Sequence, residues 1–241
     1  MIFICLSVWF FDNPLQAQSL PGKEITITTR DNHSIAATIG GIDHRGSKPA
    51  IILIHQGGSD RQEWNGFYQR LLDSGYVVLA YDVRGHGKST PVEEVSQLFN
   101  DPQKAPRDLQ AVLDYLSAQS GVDGQRIAIV GASIGGNLAA VAAGKAEYRV
   151  KSAVVISAKT SAVYNLAGVN PGQLHLQTVY YIASSLEQQG ARAKWARELY
   201  ESTTEPRRLQ IVEGSQKHGV YIMEDDPALA GGILRWLQET L

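Results

Sequence analysis

Gly131-Ala132-Ser133-Ile134-Gly135-Gly136 is the stretch whose reading decides the fold. One serine stands with a glycine two places before it and another two places after. The run Arg126-Ile127-Ala128-Ile129-Val130 leads in, and the alanine-rich run Asn137 to Gly144 leads out. The first reads as a buried strand and the second as a helix. At a strand-to-helix junction, G-x-S-x-G has a physical reason. The serine takes a strained backbone conformation that projects its hydroxyl, and side chains two residues to either side would collide with the turn. Gly136, Ala139, Ala140, Ala142, Ala143 and Gly144 allow the helix to approach the sheet closely. The amides and dipole at its N-terminus then face any developing oxyanion.

The neighbouring segments have a matching texture. Glu24 to Thr28 and Ser34 to Ile39 alternate and are rich in β-branched residues, so they read as an antiparallel hairpin. Continuous apolar runs follow at 50–54, 76–80, 126–130, 152–156, 178–182 and 209–212. Unbroken apolar runs of that length mark strands buried on both faces, as in a parallel sheet. Helical patterns lie between and after them. One places Leu109, Val112, Leu113 and Leu116 on one face; the others cover 191–200 and 227–241. The expectation is one α/β domain over residues 18–241, with a mostly parallel sheet, an N-terminal antiparallel hairpin and helices on both faces. The connection 158–176 has room for a small cover over a site and no large cap.

Composition narrows the function. The 241 residues are 44% hydrophobic and 19% charged, with a formal net charge of -2, which fits a globular chain and excludes a nucleic-acid-binding footprint. Residues Ile2 to Phe11 are apolar except for Ser7. About ten apolar residues are too few for a stable membrane span, which takes about 20. They match the core of a secretory signal over residues 1–17, with Ala17 before the cleavage point and no positive residue ahead of the core. The expected destination is secreted or periplasmic; the alternative is a buried N-terminal strand and a cytoplasmic protein. The one cysteine, Cys5, lies in this segment, so the mature chain has no thiol chemistry.

Two more loops carry chemistry. The third strand runs into His55-Gln56-Gly57-Gly58-Ser59-Asp60, a loop of the kind that offers a backbone N–H to an oxyanion. The Gly57 and Ile134 amides are the expected oxyanion donors, with Gln56 an alternative to Gly57. His55 reads as a brace for this loop. The fourth strand runs into Asp82-Val83-Arg84-Gly85-His86-Gly87-Lys88-Ser89.

Taken together, "HQGGSD", "DVRGHGKS", "GASIGG" and the late "KHG" resemble the α/β-hydrolase superfamily from about residue 24 to the end, in that family's order. The resemblance implies an esterase-like serine hydrolase with a small cap or none. It also implies that Asp82, Arg84 and His86 form a structural turn. Gln56 departs from the glycine common in the family. The family order of serine, acid and histidine puts both partners of Ser133 downstream. His175 and His218 are the histidines available, and His218, in a polar loop before the last helix, is the expected base. No aspartate occurs between Ser133 and His218. Glu187, in the loop after the seventh strand, is the expected acid, with Glu213 the second candidate. No cofactor and no metal are expected, because no pair of histidines has ligand spacing with carboxylates. The expected partner is a small acyl substrate, an ester first, with peptides and thioesters open. The competing function is a catalytically silent binding protein on the same fold.

Overall fold

The computed structural model describes residues 19–241, so the expected signal segment lies outside the described residues. Eight strands form one sheet: β1 (Lys23–Thr28), β2 (Ser34–Gly40), β3 (Lys48–Ile54), β4 (Val77–Tyr81), β5 (Val122–Ala132), β6 (Ser152–Ile156), β7 (Gln177–Ser184) and β8 (Thr204–Val212). Their spatial order is β1-β2-β4-β3-β5-β6-β7-β8. β1 and β2 form the antiparallel hairpin, and β2 pairs antiparallel with β4. From β4 to β8 every pairing is parallel.

The continuous apolar runs have a simple cause. Successive side chains on a strand point to opposite faces, and both faces here are covered. Ile52, Ile54, Leu79 and Tyr81 pack on one side with Leu109, Val112 and Leu116 of α2 (Ala105–Ser117). The same face carries α3 (Ile134–Gly144), α4 (Thr160–Ala167) and α5 (Ala191–Glu201) through Leu138, Val163 and Leu199. Ile51, Leu53, Val78 and Val130 point the other way. They meet Phe67, Tyr68 and Leu71 of α1 (Asn65–Asp73). Past the short α6 (Ile222–Asp225), α7 (Ala228–Thr240) completes that face with Leu229, Ile233, Trp236 and Leu237. Each such aliphatic side chain, fully buried, contributes about 1.5–3 kcal/mol.

The predicted strands match in number and order, and their ends differ by a few residues. β8 begins at Thr204 rather than 209, because this edge strand opens with the exposed Thr204, Glu205 and Pro206 and its apolar residues come late. The connection 158–176 holds α4, which packs on α3 as part of the flanking layer. The 3-10 turn Val95–Phe99 borders the oxyanion loop: a Cβ built on Gly57 would lie 3.0 Å from Phe99 Cζ.

One buried ion pair fixes the hairpin side of the sheet to the loop after β4. Asp82 is fully buried and accepts from the Arg61 backbone N–H (2.8 Å), the Lys88 backbone N–H (2.8 Å) and the Arg61 guanidinium. Arg61 also donates to Thr38 Oγ1 (3.0 Å) and Glu24 Oε1 (3.0 Å). Gly87 is required beside it, since a Cβ there would fall 2.2 Å from Asp82 Oδ2. Arg84 is likewise consumed by Asp108 (Nε to Oδ1, 2.7 Å) and Asp31 (Nη1 to Oδ2, 2.7 Å). Removing one partner strands the other charge in the interior. Asp82→Ala is therefore expected to cost about 3–5 kcal/mol of stability in urea unfolding; a loss under 1 kcal/mol contradicts this account of the turn.

Candidate active site

The loops that follow β3, β5, β6, β7 and β8 meet at one edge of the sheet, where ligands bind in folds of this kind. At the end of β5, Ser133 has φ 53° and ψ -110°, a left-handed backbone held between strand and helix. Its N–H donates to Ile156 O (2.8 Å) and its carbonyl accepts from Asn137 N (2.9 Å). The glycines are there because three backbones cross in contact. A Cβ on Gly131 would lie 2.0 Å from Gly135 O, one on Gly135 2.1 Å from Ile54 O, and one on Gly136 2.6 Å from Ile156 O. Ser133 occupies the N-cap position of α3 without a side-chain capping bond, so its hydroxyl is not spent on the helix. Ile134 opens that helix, so its N–H has no intrahelical acceptor.

His218 and Glu187 are joined. His218 Nδ1 lies 2.6 Å from Glu187 Oε1. Glu187 is buried, at 6% exposure, although it follows directly on a loop. The rival Glu213 is exposed and makes no hydrogen bond or ion pair among the described residues. His175 is also exposed, between the buried Leu174 and Leu176. The histidine loop abuts the elbow: a Cβ on Gly219 would fall 3.5 Å from Ala132 Cβ. No hydrogen bond joins Ser133 Oγ to His218 Nε2, and contacts of this kind are often long before substrate binds.

Two side chains that the sequence reading passed over surround the acid. Ser157, fully buried at the end of β6 with φ 52°, donates from Oγ to Glu187 Oε2 (3.2 Å) and accepts from Gly219 N (3.1 Å). Arg192, in the first turn of α5, places Nε 3.0 Å from Glu187 Oε1, an ion pair without hydrogen-bond alignment. Its Nη1 donates to Ser157 O (2.7 Å), and its guanidinium sits 5.2 Å from the Trp195 ring centroid. No local sequence pattern joins these two residues to the acid; the tertiary fold brings them together.

The loop after β3 separates the two oxyanion candidates. The Gln56 N–H donates to Glu63 Oε1 (2.8 Å), so it is already engaged. The departure from glycine at Gln56 also has a use here. Its Oε1 accepts from Val220 N (3.2 Å), tying this loop to the histidine loop, and it occupies the space a side chain on Gly219 would need, 1.8 Å from the Cβ position. Both His55 nitrogens are committed, Nδ1 to Gln56 O (2.7 Å) and Nε2 to Val83 N (2.9 Å). Burial pushes His55 down to about 4, so it is a neutral brace near pH 7.

Glu63 is the reverse case. Burial of its carboxyl pushes it up to about 7, against hydrogen bonds from Ser59 and Gln56 that favour the charged form. The residue as a whole is half-buried, but Oε2 is shut off from solvent and has no partner. Among the described residues, no group of three or more His, Cys, Asp or Glu is placed to hold a metal ion.

A raised carboxyl has a definite linkage sign. Between about 4.5 and about 7 the folded protein holds a proton that the unfolded chain releases, so this contribution to stability is lost as pH rises through that window. Glu63→Gln keeps an acceptor for the Gln56 N–H and removes the buried charge. The variant is expected to match the wild type in denaturant unfolding at pH 5 and to exceed it at pH 8. Equal stability at both pH values contradicts the assignment.

With this geometry in view, comparison with known proteins places the chain. The family model described as alpha/beta hydrolase fold matches residues 49–230. The uncharacterized protein YcjY of Escherichia coli (strain K12) is 37% identical over 110 residues, which cover 45% of this chain and 35% of YcjY, so the match spans about a third of that relative. The uncharacterized protein Rv2307c of Mycobacterium tuberculosis is 28% identical over 253 residues, covering 94% of this chain and 83% of the relative. The solved structure of the Pyrococcus furiosus esterase Pf2001 superposes with a TM-score of 0.70 at 22% identity, covering 98% of each chain. At that identity the superposition speaks for the fold, and it agrees with the match of the family model over most of the sequence. The chain belongs to the alpha/beta hydrolase fold family.

Proposed function

We propose that the protein is a serine hydrolase that cleaves an ester or related acyl bond of a small substrate through an acyl-enzyme. The 2.6 Å contact between His218 Nδ1 and the buried Glu187 carboxylate, beside a serine held at positive φ, carries this reading. In the proposed reaction Ser133 Oγ attacks the substrate carbonyl while His218 Nε2 takes its proton. The tetrahedral oxyanion is held by the Gly57 and Ile134 N–H groups. His218 returns the proton to the leaving group, and the carbonyl re-forms as the acyl-enzyme. Water, deprotonated by His218, then attacks the ester to Ser133, releases the acid and restores the hydroxyl.

Glutamate serves where aspartate is usual because the acid's work is to orient the imidazole and stabilise imidazolium. Glu187 opens the 3-10 turn Glu187–Gly190, whose Gln188 and Gln189 also take positive φ, 49° and 58°. The contact of His218 Nδ1 with Glu187 favours this reading over that of a silent binding protein. The apolar run Ile2 to Phe11 supports export, with a mature N-terminus near Gln18.

Ser133→Ala is expected to abolish hydrolysis of p-nitrophenyl acetate with the fold intact by circular dichroism. Glu187→Gln should lower kcat by ~10⁴ with little change in KM, because the lost interaction serves the transition state. Glu213→Gln should leave kcat within about twofold. Near-wild-type turnover by Ser133→Ala, or a large loss at Glu213 with none at Glu187, overturns the assignment. Mass spectrometry of exported protein tests the N-terminus, and a mature chain that keeps Met1 contradicts cleavage.

A further inference from the structure

The acid–histidine pair contains a third charged group that no hydrolytic step calls for. Arg192 Nε and His218 Nδ1 approach the same carboxylate oxygen, Glu187 Oε1, at 3.0 Å and 2.6 Å. The guanidinium is held there from two sides, by its bond to Ser157 O (2.7 Å) and by the face of Trp195. Only 12% of the Arg192 side chain is exposed. A surface arginine that merely found a nearby carboxylate would not be locked at both ends.

We propose that Arg192 is a positioning residue that acts through Glu187 to set how tightly the His218 imidazole holds a proton. The proposal rests on the reading of His218 as the base. An oxygen that already faces a fixed cation presents less negative potential to the imidazole. Removing that cation should therefore leave the imidazole holding its proton to higher pH. A neutral imidazole is the form that takes the serine proton, so the arginine widens the pH range of activity on its acid side. A purely structural role, keeping the 187–190 turn packed on α5, predicts no such shift.

Other charges near the pair are differently placed. Lys159, at the junction of β6 and α4, has its Nζ 5.6 Å from the Trp195 ring centroid. Lys217, beside His218, is paired with Glu224 of α6 at 2.7 Å and exposed. Glu213, at the end of β8, is exposed. Ser157, directly after β6, contributes a neutral hydroxyl. Arg192 is thus the one cation that an ion pair joins to the acid among the described residues.

The test compares the wild type with Arg192→Met, Arg192→Gln and Arg192→Lys. Two measurements are made on each full-length protein: kcat/KM for p-nitrophenyl acetate from pH 5 to 9, and the NMR titration of the His218 ring, identified by its loss in His218→Gln. Arg192→Met and Arg192→Gln should move the acid limb of the profile and the titration midpoint up by about one pH unit. Arg192→Lys keeps the charge without the guanidinium fork and should restore most of the shift while recovering only part of kcat. Either neutral variant suffices if the other does not fold. A kcat loss that is uniform across pH, with the midpoint unmoved in both neutral variants, overturns the proposal and leaves Arg192 as packing. If the wild type hydrolyses no ester, the reading as a hydrolase fails, while the titration still decides the inference about Arg192.

Discussion

Everything at this site depends on three backbones being allowed to touch at the elbow. The Gly131 Cα faces Gly135 O, Gly135 faces Ile54 O, and Gly136 faces Ile156 O, each closer than a Cβ would permit. That contact brings β3, β5, β6 and α3 to one point and leaves Ser133 no ordinary backbone conformation. A non-glycine residue at positive φ costs on the order of 1–3 kcal/mol. The surrounding sheet supplies this through ordinary burial: Ile54, Val130, Ile134 and Ile156 around the elbow are at most 1% exposed. The strain is local, and the hydroxyl it aims makes no capping bond to the helix.

A second set of interactions makes the surrounding loops one unit. Glu63 holds the Gln56 backbone, the Gln56 side chain holds Val220, Ser157 holds both Gly219 and Glu187, and Arg192 holds Glu187 and Ser157. Loops that would each move freely are coupled through side chains rooted on the 3-10 turn Arg61–Trp64, the end of β6 and the start of α5. Buried polar networks of this kind are specific because a partly satisfied one is costly. In the proposed hydrolase the same coupling would hold the reacting groups in place.

The legible parts of the fold were those with a strong local cause. Buried central strands read as continuous apolar runs, and the elbow reads as glycines around a serine. β8 was half hidden, because an edge strand exposes Thr204, Glu205 and Pro206 and keeps polar residues through its length. α1 and α4, of nine and eight residues, went unassigned. At the candidate site, Ser133 was proposed from the elbow, and His218 and Glu187 from the family's order of serine, acid and histidine together with the loops they occupy. Gln56 could not be separated from Gly57 until the Glu63 contact was visible. Ser157 and Arg192 lie 30 residues before Glu187 and five after it, and they meet through the tertiary fold, so no local pattern could join them.

The central claim is that Ser133 is an activated nucleophile rather than an ornament of the turn. The most direct measurement is intact-mass analysis after treatment with a fluorophosphonate, followed by peptide mapping. An activated serine attacks phosphorus, expels fluoride and keeps the phosphonyl group. The account predicts a single adduct on the peptide containing Ser133, formed slowly or not at all in His218→Ala. A folded wild-type protein that stays unmodified, or one labelled only elsewhere, contradicts it.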